Sequence, residues 1–140
     1  MNVIKVLLQA NLENVAVARG VVSSFLTNED VTVNVYNEIK TIVSEGITNA
    51  IVHGYQNDSS KFVSLDCILK NNILTLIIKD EGIGIADIEK AKEPLYSSLA
   101  SEERAGLGFT IMEIFSDNLE IISKVGEGTT LRIEKKLKMN

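Results

Sequence analysis

A short apolar-rich run from Val3 to Gln9 predicts a strand, and the three-to-four residue apolar period from Leu12 to Leu26 predicts a helix with Asn11 as its N-cap. A second, longer helical period extends from Val33 to His53. It carries Val35, Ile39, Ile42, Val43, Gly46, Ile47 and Ala50 along one broad face, and Gly54 is its C-terminal stop. Two β-rich runs, Phe62 to Leu69 and Ile73 to Lys79, flank Asn71-Asn72 and read as a hairpin. From Asp80 to Ala105 the pattern weakens around Gly82, Gly84, Pro94, Ser97, Ser98 and Ser101, which predicts a mobile loop with a short helix near 87–92. Gly108 to Phe115 then predicts a helix, and Leu119 to Val125 and Thr129 to Leu137 two strands around the turn Gly126-Glu127-Gly128.

The order strand, helix, helix, two strands, loop, helix, two strands does not alternate as a doubly wound parallel sheet would. It predicts an α+β fold in two layers, a mixed, mostly antiparallel sheet with helices on one face. The other sheet face needs polar residues or a second copy of the chain.

Composition narrows the classes. The 140 residues suit one domain, 1–140, with a real core. One Cys and one His exclude a disulfide scaffold and a structural zinc site. Lys5 interrupts the apolar N-terminus, and no apolar run approaches the roughly 18 residues of a membrane span, so the expectation is a soluble, cytoplasmic protein without membrane contact. A net charge of -5 leaves no broad footprint for direct nucleic-acid binding. A small anion held by backbone N–H groups and magnesium is compatible with that charge.

Six of the nine glycines form the pairs Gly82/Gly84, Gly106/Gly108 and Gly126/Gly128. The third reads as a turn between strands. The first follows Asp80-Glu81 at a strand end, and the acidic pair sits where a pyrophosphate would have to lie, against a dinucleotide fingerprint. A carboxylate there suits an exocyclic amine such as adenine's, or else caps the following turn. The second pair opens GLGFTIMEIF, so its N–H groups are expected at a helix N-terminus, where phosphate is favoured. Arg104, just before it, has a donor fork matched to phosphate, or is a solvated surface residue.

On the long helix, Glu45, Asn49 and His53 fall about 40° apart and form one polar stripe at the margin of the buried face. Glu45 could take a proton from a hydroxyl and Asn49 could offer its oxygen to magnesium; the alternative is an exposed helix Glu. His53, in the last helical turn, suits the helix C-terminus and is given no chemistry.

Together SEGITNAIVHGY, KDEGIGI, RAGLGFTIMEIF and GEGTTLRI resemble, in order and spacing, the ATP-binding motifs of the GHKL superfamily, which includes gyrase B, Hsp90, MutL and histidine kinases. The chain is most similar there to the sporulation anti-sigma factors, small serine-protein kinases. The resemblance implies the Bergerat-type two-layer α/β sandwich, ATP and Mg2+ as ligands, and a lid over residues 86–105. It implies Glu45 as general base, Asn49 as magnesium ligand, Asp80 as acceptor for the adenine amine, and Gly82 and Gly84 beneath base and ribose. It further implies Arg104 at the terminal phosphate, Gly106 and Gly108 at the phosphate-binding helix end, Thr129 assisting adenine recognition and Arg19 contacting a partner.

The implied function is an anti-sigma factor that sequesters a sporulation sigma factor on its homodimer. As a serine kinase it would phosphorylate an anti-anti-sigma factor. Two alternatives stay open, a nucleotide-dependent binding module without transfer and a stress-response anti-sigma kinase of the same family. A histidine-kinase reading within the superfamily is not expected, because no helical-hairpin pattern to present a phosphoacceptor histidine stands ahead of these motifs.

Overall fold

The structure, a computed structural model, describes residues 1–92 and 100–138, the side chains of residues 100–107 excepted. Strand β1 (Asn2–Gln9) leads into α1 (Glu13–Phe25) and α2 (Val33–Asn49), and α2 runs on into a π-helical turn at Ala50–Gly54. The hairpin β2 (Phe62–Lys70) and β3 (Ile73–Asp80), the short α3 (Ile88–Ala91), α4 (Ala100–Phe115), and the hairpin β4 (Asn118–Lys124) and β5 (Gly128–Lys136) complete the chain.

Local signals set most of these boundaries. Asn11 accepts the Glu13 N–H at 3.1 Å, one residue ahead of the cap position of α1, which falls on Leu12 rather than on Asn11 as expected. At α2, Thr32 accepts the Val35 N–H at 3.2 Å. Asn71 and Asn72 both take positive φ, 51° and 69°, as a two-residue hairpin turn with the right twist demands.

The sheet order is β1-β2-β3-β5-β4, and every pairing is antiparallel, beyond the mostly antiparallel sheet expected. One face is buried. Val63, Leu65 and Cys67 of β2, Leu74, Leu76 and Ile78 of β3, and Leu131 and Ile133 of β5 meet Ala18 and Val22 of α1, Ile39, Ile42, Val43 and Ile47 of α2, and Phe109 and Met112 of α4 in one core. Burial pushes the Cys67 thiol up to about 12, which leaves it an inert core residue. The opposite face is open, with exposed Val3 and Leu7 either side of Lys5, which pairs with Asp66 at 3.0 Å, Phe62 at the start of β2, and Ile122 on the far edge strand β4.

Two expectations are corrected. The last predicted helix begins at Ala100 rather than Gly108, because Ala100-Ser-Glu-Glu-Arg-Ala105 contains good helix formers that extend the helix past the two glycines. The α-helical register assumed through His53 ends at Asn49, where the wider π turn takes over, so His53 leaves the stripe of Glu45 and Asn49. Gly54 does close the helical run, as the last residue of that π turn.

Candidate functional site

Strand alternation builds one end of the site. On β3 the inward positions Leu74, Leu76 and Ile78 are core residues, and the next inward position is Asp80. The same rule starts β5 on Thr129 and ends β4 on Ser123, and the registers Asp80↔Thr129 and Ser123↔Thr129 set the three side by side. A polar row therefore crosses three strands at one edge of an apolar face. Asp80 is 3% and Thr129 5% exposed.

The helical layer closes over this row through two glycines. A Cβ at Gly46 would stand 2.5 Å from Ile78 Cδ1, and one at Gly54 would stand 2.6 Å from the Asp80 carboxyl carbon. With hydrogen at both positions, α2 and its π turn lie directly along β3, which puts Glu45 and Asn49 on the element that covers Asp80. Asn49 is 8% exposed and Glu45 half-buried. A Cβ at Gly108 would come within 2.9 Å of Glu45 Oε2, so α4 passes the Glu45 carboxylate at its own glycine.

The segment after Asp80 is pinned amide by amide. The Glu81 N–H donates to the Tyr55 hydroxyl (2.8 Å) and the Gly82 N–H to Asp80 Oδ1 (2.9 Å). The Ile83 N–H reaches the Gly54 carbonyl (3.0 Å) and the Ile85 N–H the Ser123 hydroxyl (2.8 Å). The Gly126 N–H in turn donates to the Ile83 carbonyl at 2.8 Å. Gly82 and Gly84 are glycines for close backbone packing. A Cβ would lie 1.9 Å from the Gly54 carbonyl oxygen at Gly82, and 2.2 Å from that of Lys124 at Gly84, where φ is +75°. Asp80 thus does cap its turn through one oxygen.

Burial raises the Asp80 carboxyl to about 6, against the pull of the Gly82 and Thr129 N–H groups. Near neutral pH it is ionised but poorly solvated, a buried acceptor that gains from a donor. Burial, with Asp80 and Glu81 close by, also raises the Tyr55 phenol and keeps it protonated.

The other expected residues are less closely gathered. Arg19, half-buried on α1, donates to Ser44 Oγ at 2.9 Å, beside Glu45 in sequence. Gly106 and Gly108 lie inside α4, so their N–H groups are not at a helix N-terminus; the anion-site geometry expected of them is corrected. Arg104 is on the same helix, its side chain outside the described residues, as is the stretch 93–99 of the expected lid. The near edge of that lid is tied down. Lys92 pairs with Glu113 at 2.6 Å, and its carbonyl accepts the Thr110 hydroxyl at 3.2 Å.

Sequence reasoning missed Tyr55 and Ser123. The Ser123 hydroxyl also bonds the Gly128 carbonyl (3.0 Å) and the Thr129 hydroxyl (2.8 Å). Its signal is the inward spacing Leu119, Ile121, Ser123, visible once register is known. Tyr55 follows a π turn that periodicity does not announce.

Residues 8–135 match the histidine kinase-like ATPase domain family. The chain is 50% identical over 125 residues to the anti-sigma F factor of Shouchella clausii and 47% identical over 125 residues to that of Oceanobacillus iheyensis. Each alignment covers 89% of this chain and 86% of the relative. With the anti-sigma F factor of Clostridium perfringens it shares 44% over 128 residues, 91% of each chain. The fold matches the structure of the RsbU and RsbW domains of Rv1364c from Mycobacterium tuberculosis with a TM-score of 0.71 and 17% identity, over 100% of this chain and 34% of that one. It also matches a blue-light activated histidine kinase of Erythrobacter litoralis with a TM-score of 0.58 and 25% identity, over 77% of this chain and 32% of that one.

Proposed function

Because the chain belongs to the histidine kinase-like ATPase domain family, and within it to that of the anti-sigma F factors, we propose that it sequesters a sporulation sigma factor and transfers the ATP γ-phosphoryl group to a serine of an anti-anti-sigma partner. One observation carries the reading. A buried carboxylate at the end of β3, Asp80, lies under the same helical run that carries Glu45 and Asn49. An amine acceptor and a candidate base then share one rigid crossing of helix and strand.

In this reading Asp80 accepts the adenine amine, Thr129 stands beside it, and the Gly82–Gly84 turn borders base and ribose. Asn49, 8% exposed and carrying a side-chain oxygen on the same helix as Glu45, fits a magnesium ion that keeps mainly water and phosphate ligands. The ion supplies charge neutralisation on the phosphates when bound. Glu45 takes the proton as the serine oxygen bonds to the γ-phosphorus, and the bond to the β,γ-bridging oxygen breaks to release ADP. Arg104 balances charge on the transferring group, on the helix that passes the Glu45 carboxylate at Gly108. Arg19, fixed on α1 by Ser44, is the partner contact. The open sheet face with Val3, Leu7, Phe62 and Ile122 suits a second copy of the chain, and the setting is cytoplasmic.

A second reading, a nucleotide-dependent binding module without transfer, is favoured by the position of Gly106 and Gly108 inside α4. A stress-response kinase of the same family differs only in its sigma factor. The test is incubation with magnesium and γ-labelled ATP alongside the anti-anti-sigma protein and sigma factors of the source organism. Label on a serine and co-purification of the sporulation sigma factor are expected. Bound ATP with no label on any partner would establish the module instead.

A further inference from the structure

Tyr55 has no part in the reading above, yet it is the residue on which the base end of the site is hung. The π turn closes with the Tyr55 N–H donating to the Ala50 carbonyl at 2.9 Å, and this wider turn directs the side chain back toward the sheet. The ring is buried, 8% exposed. Its hydroxyl donates to the Phe62 carbonyl at 2.8 Å and accepts the Glu81 N–H at 2.8 Å. The phenol's single proton is therefore spent on β2, and its oxygen holds the backbone next to Asp80. No other described side-chain hydroxyl bonds that amide.

We propose that Tyr55 is a positioning residue for base recognition, holding the Glu81 backbone against the start of β2 so that the Asp80 carboxylate stays aimed at the exocyclic amine of the bound purine. This rests on the reading of Asp80 as the amine acceptor. Asp80 has two attachments that fix its direction, the strand pairing with Thr129 on one side and the turn into Glu81 and Gly82 on the other. Removing the hydroxyl frees the second. It leaves the part-buried Phe62 carbonyl and Glu81 N–H without the hydroxyl that joins them, so the turn shifts to find new partners. The carboxylate moves with it, and an amine-specific hydrogen bond is more sensitive to such a shift than contacts to ribose or phosphate are.

The test compares ATP with purine riboside triphosphate, which lacks the exocyclic amine, for the unmodified protein, Tyr55→Phe and Asp80→Asn. The unmodified protein is expected to prefer ATP, and Tyr55→Phe to lose about tenfold in ATP affinity with little change for the analogue. Turnover at saturating ATP stays near that of the parent. A packing role alone would lower the melting temperature and weaken both nucleotides equally. Preserved preference in Tyr55→Phe, with preference lost in Asp80→Asn, overturns the role of Tyr55. Preference kept in both variants overturns the amine-acceptor reading, and this proposal with it.

If Tyr55→Phe does not fold, the unmodified protein carrying 13Cζ-tyrosine decides. Its Tyr55 signal, assigned by Tyr36→Phe and Tyr96→Phe, is expected to shift on adding adenosine and to shift much less with purine riboside. Equal shifts, or none, overturn the proposal.

Discussion

The two ends of the candidate site are built from different materials. At the end proposed to hold the base, Asp80 and Ser123 are the last inward residues of β3 and β4 and Thr129 is the first of β5, and the turn after Asp80 has its amides at Glu81, Gly82, Ile83 and Ile85 bonded. At the end proposed to face the phosphates, Glu45 and Asn49 ride on α2, while Arg104 rides on α4, next to a stretch outside the described residues. Strand register fixes the first end before any ligand arrives. The second depends on how two helices lie against each other. If the proposed roles hold, a site divided in this way keeps a base in a constant pose while the groups around the phosphates change with the bound state.

The largest expected effect separates the two ends cleanly. Glu45→Ala should lower phosphoryl transfer by about 10²–10⁴-fold, the range for loss of a positioned general base, while adenosine binding stays within about twofold. Rapid-quench transfer assays beside calorimetry would read both. Equal loss in both measurements would mean that Glu45 supports the fold and that the two ends are one unit.

Gly82→Ala should break the base end. Its Cβ would stand 1.9 Å from the Gly54 carbonyl oxygen, a backbone atom with no free rotation to escape. Separating the turn from the π segment should cost about 3 kcal/mol or more, seen in denaturant unfolding, and should abolish measurable adenosine binding. A variant that unfolds at the parent midpoint would show the close packing to be dispensable.

How far these features were legible follows from the same division. Apolar periodicity located β1, α1, α2 and both hairpins, because each buries one face and the core residues recur at the period of the element. Asn71-Asn72 announced their turn through residue types that tolerate positive φ. Asp80 was legible as a carboxylate at a strand end. Its companion Ser123 was not, since which strand neighbours which is a long-range fact: β5 lies between β3 and β4. The start of α4 was misplaced because two glycines read locally as a helix boundary, whereas the residues before them carry the helix through. In the sequence Gly46 and Gly54 mark a helix face and a stop. Their main service, letting a helix lie on Ile78 and Asp80, appears only when both layers are present.

A smaller effect tests whether the buried carboxylate is a binding group. Burial raises Asp80 from 3.8 to about 6, so the folded protein holds this proton more tightly than the unfolded chain does. The sign follows. Its contribution to stability is fully present below about pH 4 and is lost as pH rises through 6, by roughly 3 kcal/mol in all. Adenosine binding should run the other way, because the ionised carboxylate is the better acceptor, and should gain about tenfold between pH 5 and pH 7. Adenosine avoids titration of the phosphates. Asp80→Asn should flatten both profiles, and a parent profile of binding that is already flat would remove Asp80 from base recognition.

The smallest effect isolates conformational strain from site assembly. Gly126 and Gly82 both belong to Gly-x-Gly pairs and both border the same turn, but a Cβ at Gly126 meets nothing within 4 Å. What Gly126 supplies is its φ of +82° and the N–H that reaches the Ile83 carbonyl, and alanine keeps that N–H. Gly126→Ala should therefore cost about 1 kcal/mol from the left-handed backbone alone, a melting-temperature shift of a few degrees, with adenosine affinity unchanged. If affinity falls along with stability, the β4–β5 turn helps to shape the base end through its backbone conformation. The boundary of the rigid region then lies beyond Ser123 and Thr129, out at the tip of the hairpin.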